Sequence, residues 1–102
     1  MSSFPNPEAG SIEVTVAIIE DEEDMRETVR SWLRDQPGIQ CVGAWSSLGE
    51  AVERVSWIKP DVILLDLYLA DGDSLKGITT IREIVPATKI VMMTGEGDYS
   101  WI

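Results

Sequence analysis

With 102 residues, 44% hydrophobic and 25% charged, the chain has room for one globular domain and is too apolar to be disordered beyond its ends. Eighteen acidic against eight basic residues give a net charge of −10, and the sequence holds no Lys/Arg cluster to neutralise phosphates, which argues against binding DNA or RNA. Histidine is absent, which removes Ser/His and Cys/His catalysis and the commonest zinc sites.

Residues 1–13 hold two prolines, three serines and a glycine without an apolar core, so they read as a flexible leader rather than a signal peptide. Val14 to Ile19 is a β-branched, nearly all-apolar run, the pattern of a strand covered on both faces. Met25, Val29, Trp32 and Leu33 then make one apolar stripe at helical spacing, and Pro37-Gly38 ends that helix. Ile39 to Trp45 is a second, weaker strand; its Cys41, the only cysteine, reads as a buried thiol and leaves no intrachain disulfide. Ser47 to Glu50 reads as a capping box ahead of a helix with Leu48, Ala51, Val52, Val55 and Ile58 inward, closed by Pro60. Asp61 to Asp66 is the strongest strand. A loop rich in Asp and Gly (70–73) leads to a third helix with Leu75, Ile78, Ile81, Ile84 and Val85 inward, and Lys89 to Met93 is the fourth strand. No stretch is long enough to span a membrane. Strands separated by helices of this length imply right-handed crossovers and an α/β fold with a doubly wound parallel sheet.

In such a sheet, ligands bind outside the carboxyl ends of the strands, where strand order reverses. Glu20 and Asp21 follow strand one, Asp66 ends strand three and Thr94 follows strand four. If strands one and three are neighbours, three carboxylates crowd one pocket, and their repulsion requires a cation or a proton. A hard divalent ion such as Mg²⁺, which takes oxygen ligands, suits that donor set. Glu22, Glu23 and Asp24 read mainly as helix-start residues favoured by the dipole.

In Ile18-Ile19-Glu20-Asp21, in Lys59 to Leu67 with its Asp66, and in Val91-Met92-Met93-Thr94-Gly95, the chain resembles the receiver domain of two-component response regulators. The resemblance implies a flavodoxin-like fold with strand order 2-1-3-4 and phosphoryl transfer from a kinase phosphohistidine to Asp66. It also implies Mg²⁺ held by Glu20, Asp21, Asp66 and the backbone carbonyl of Tyr68, with Asp21 the likelier direct ligand of the acidic pair. Thr94 matches the hydroxyl that bonds the phosphoryl oxygens, and Gly95 leaves the phosphoryl group room. Ala70 and Ser74 stand where the family commonly has proline and glycine.

The family's fold has five strands and five helices, and the chain stops at Ile102 after the fourth strand, so residues 14–102 read as a receiver domain truncated to four strands and three helices. The lysine that ends the family's fifth strand is then missing, and Lys89, at the opposite end of the sheet, does not replace it. On this reading strand four is an open edge and one sheet face is uncovered, which predicts a homodimer through them.

The function expected is a phosphoacceptor module, cytoplasmic, not an enzyme, served by a sensor histidine kinase or phosphotransfer protein and without an effector domain of its own. A module that assembles independently of phosphorylation is the alternative. An aspartyl phosphatase would want a second acid two residues past Asp66, where Tyr68 stands.

Overall fold

The structure is a computed structural model that describes residues 13–66, 74–93 and 99–101, the last three and Ser74 by their backbone. Its elements run β1 (Val14–Ile19), α1 (Glu23–Arg34), β2 (Ile39–Trp45), α2 (Leu48–Ile58), β3 (Val62–Asp66), α3 (Ser74–Ile84), β4 (Lys89–Met93) and β5 (Tyr99–Trp101). The four long strands are parallel in the order β2-β1-β3-β4, as expected. β5 is an addition: it pairs antiparallel with β4, Val91 opposite Trp101 and Met93 opposite Tyr99. The expectation that strand four is an open edge is therefore corrected, because the outer side of Val91 to Met93 is already paired.

Alternation divides the side chains between two layers. Ala17, Ile19, Ile63, Leu65, Ile90 and Met92 face α2 and α3 and make the main core with Ala51, Val55 and Ile81. Ile18 and Met93 face the other way and meet Val29 of α1, with Leu64 half-buried beside them. Among the described helices only α1 contributes to this second layer, and Val62, Leu64 and Val91 stay half-buried on it.

α1 departs from its expected stripe. Val29 is buried and Leu33 half-buried against the sheet, but Met25 and Trp32 are 42% and 56% exposed. Leu75, expected inward, is exposed at the start of α3. Ser47 caps α2 by accepting a hydrogen bond from the Glu50 N–H at 3.1 Å, the first half of the expected capping box. α2 ends on Lys59 in the left-handed conformation, φ 49°, just before Pro60.

β2 reads weakly because it carries a bulge. Val16 pairs with Cys41 but Ala17 with Gly43, so Val42 is an extra residue. The shift turns Val42 and Trp45 both to the main core, and Cys41 and Ala44 both to the α1 side. The Trp45 ring lies against Gly43, where an added Cβ would come 2.6 Å from the indole. Cys41 is half-buried rather than sealed in.

At the far end of the sheet, Asp61 and Thr15 clasp β3 to β1. The Thr15 N–H and hydroxyl both donate to Asp61 Oδ2, at 2.9 and 3.0 Å, and the Asp61 N–H donates to Thr15 Oγ1. Asp61, although adjacent to a strand, is thus committed to structure at the end opposite Asp66.

Candidate functional site

Adjacency of β1 and β3 brings their carboxyl ends together, and with them the three acids. One carboxylate oxygen each from Glu20, Asp21 and Asp66 lies within 4.8 Å of the others. Two of them are placed by backbone: Asp66 is the last residue of β3, paired with Met93, and the Glu20 N–H donates to the Trp45 carbonyl at 2.9 Å. Arg26, one turn into α1, donates from Nη1 to the Glu20 carbonyl at 2.9 Å and so ties the strand end to the helix start. Sequence reading missed Arg26; the signal available was a cation six residues past Glu20, on the first turns of an otherwise acidic helix start.

The three acids differ in setting. Asp21 is exposed, Asp66 half-buried and Glu20 only 7% exposed. Burial, and then a hydrogen bond to the Asp66 side chain, pushes the Glu20 carboxyl up to about 7, against a lowering contribution from the Glu22 N–H that donates to Glu20 Oε2 at 3.2 Å. Removal from water disfavours the charged form of the buried acid, and the neighbouring carboxylates of Asp66 and Asp21, hydrogen-bonded to it, add to the preference for the proton on Glu20. Glu23 and Asp24 occupy the first turn of α1 as helix-start residues, while Glu22 at the N-cap position makes no side-chain cap bond.

The donor set fits a hard divalent cation. All three donors are carboxylate oxygens, they converge from two fixed strand ends, and a +2 charge would relieve the repulsion that the Glu20 proton otherwise relieves. Tyr68, Thr94 and Gly95, the remaining residues that the sequence assigned here, lie outside the described residues, as does the leader up to residue 12.

Comparison with known proteins agrees with this geometry. The family model "response regulator receiver domain" matches residues 16–102. The response regulator protein VraR of Staphylococcus aureus is 35% identical over 81 residues, which cover 79% of this chain and 39% of that protein. The chain thus spans about two fifths of the length of the curated relatives it matches. The response regulator domain of Thermotoga maritima CheB superposes with a TM-score of 0.74 at 26% identity, over 80% of this chain and 60% of that one. The signal receiver domain of the response regulator NarL from Mycobacterium tuberculosis shares the fold, with a TM-score of 0.75 at 24% identity over 82% and 68% of the two chains. By sequence and by fold, the chain belongs to the response regulator receiver domain family.

Proposed function

We propose that this chain is a phosphoacceptor of two-component signalling, in which Asp66 receives a phosphoryl group from a histidine kinase or phosphotransfer protein. The observation that carries the reading is the convergence of Glu20, Asp21 and Asp66 at the carboxyl end of a parallel sheet, with oxygens within 4.8 Å. An Asp66 carboxylate oxygen attacks phosphorus, the bond from phosphorus to the donor imidazole breaks, and its electron pair stays on the ring nitrogen. Asp66 is on a fixed strand end rather than a free loop, so attack needs little reorganisation. Glu20 and Asp21, with Asp66 and the Tyr68 carbonyl, would hold Mg²⁺, which supplies positive charge for the transferred group when bound. Thr94 would bond the phosphoryl oxygens.

In this role the chain is a substrate of its kinase and not an enzyme. It works in the cytoplasm, and its own charge of −10 gives nucleic acid no purchase. Incubation with Mg²⁺ and acetyl phosphate, followed by intact mass measurement, tests the reading. A single phosphoryl adduct that is absent from Asp66→Asn supports it; a folded sample without an adduct defeats it.

A second reading, assembly independent of phosphorylation, has one observation in its favour: Val62, Leu64 and Val91 stay half-buried on the face that α1 alone covers among the described helices. A homodimer would close that face rather than the β4 edge. Sedimentation at micromolar concentration, with Val91→Glu as the disrupting variant, is the check; a monomer throughout removes this reading.

A further inference from the structure

Two hollows lie away from the acids, along the outer side of β2. One of about 350 Å³ is lined by Cys41 to Trp45, with Arg30 of α1 on one flank and Arg54 of α2 on the other. A second, of about 280 Å³, continues past Ile39 and Gln40 and adds Arg34; Arg30 and Cys41 line both. Together they follow all seven residues of β2, a length of about 20 Å at the usual rise. β2 is the terminal strand of the sheet, so on this side its backbone meets no other strand among the described residues.

Charge distinguishes this edge from the rest of the molecule. Three of the eight cations gather here in a chain of net charge −10, and Glu50 is the one carboxylate that lines either hollow. Arg30 has Glu27 at 3.6 Å, an exposed and therefore weak pair, while Arg34 and Arg54 form no ion pair among the described residues. The linear sequence hides this cluster, because the arginines come from two helices that flank the strand. Trp45, only 3% exposed, also lines the groove, and its indole N–H keeps solvent contact without a hydrogen-bond partner among the described residues.

We propose that the β2 edge docks an extended acidic peptide segment of a partner protein by strand addition. Its backbone pairs along Gly43 to Trp45, and its carboxylates meet Arg30 and Arg54. The groove is long and follows a single edge strand, which suits an added strand better than a compact phosphate ion. Guanidinium forks match carboxylates in a way that point-charge lysines do not. The bulge at Val42 bends the strand between the two hollows and confines pairing to one side of it. A second copy of this chain is a poor occupant, because edge-to-edge pairing would bring six arginines together.

Cys41, the single thiol, lines the groove and reports its occupancy. The test measures the rate of Cys41 alkylation by iodoacetamide in the whole chain. The probes are an eight-residue peptide alternating glutamate and valine, its lysine–valine counterpart, and the glutamate peptide N-methylated at alternate residues. The glutamate peptide should slow alkylation severalfold, and the lysine and N-methylated peptides should not. The double variant Arg30→Glu, Arg54→Glu should weaken protection by about tenfold, with far-UV circular dichroism and Asp66 phosphorylation unchanged. Equal protection by the N-methylated peptide would overturn strand addition, and equal protection by the lysine peptide would overturn charge recognition. No protection at millimolar peptide, or protection that rises with protein concentration alone, would overturn the proposal outright.

Discussion

Glu20 is the residue on which the behaviour of the site turns. Its folded pKa of about 7 exceeds the 4.5 of an unperturbed glutamate. Between those values the folded chain holds a proton that the unfolded chain has released, so in chelator stability should fall as pH rises from 4.5 to 7 and level off above. The gap corresponds to roughly 3 kcal/mol. Urea denaturation across that range checks it, and Glu20→Gln should flatten the profile. The same proton opposes cation binding. Mg²⁺ titrations should give a Kd that rises as pH falls below 7, approaching about tenfold per pH unit, and Glu20→Gln should bind more weakly but with less pH dependence. At this scale the sequence is partly legible: Glu20 and Asp21 announce themselves by following an apolar strand and Asp66 by ending one, whereas the bonds that hold the Glu20 backbone come from Trp45 and Arg26 in other elements.

Elements explain where the sequence could be read and where it could not. β1, β3 and β4 are continuous apolar runs and were read directly. β2, Ile39–Trp45, is legible with the same bounds but as a weaker strand, since an extra residue at Val42 breaks alternation, and no local pattern reveals the indole of Trp45 lying against Gly43. Helical spacing gives α1 a stripe that includes Met25 and Trp32, whereas of that stripe only Val29 and Leu33 pack on the sheet. β5, three residues long, is too short for any periodicity to register. α2 and α3 touch closely at Gly77, where an added Cβ would stand 2.5 Å from a methyl of Leu48. Gly77→Leu should therefore cost about 1–3 kcal/mol by overpacking, read as a lower urea midpoint with an unchanged slope. Asp61→Ala, which opens the clasp on Thr15, should cost about 1 kcal/mol without altering Mg²⁺ affinity, because it acts at the other end of the sheet.

For the whole molecule, the parallel sheet separates three tasks in space. The carboxyl end gathers the acids, the opposite end is clasped by Thr15 and Asp61, and the outer side of β2 holds the arginines. An acidic chain with such a site should be stabilised by the cation it binds. Mg²⁺ at about a hundred times its Kd should add about 2.7 kcal/mol, seen as a raised melting temperature that chelator reverses and that Asp66→Asn diminishes. The central claim is that Asp66 is the acceptor, and an acyl phosphate can be located chemically. Borohydride reduces an aspartyl phosphate to homoserine, so reduction after treatment with Mg²⁺ and phosphodonor, followed by peptide mass mapping, identifies the residue that carried the group. Homoserine is expected at position 66 alone and not without Mg²⁺; homoserine at another aspartate, or none in a folded and Mg²⁺-loaded sample, would contradict acceptance at Asp66.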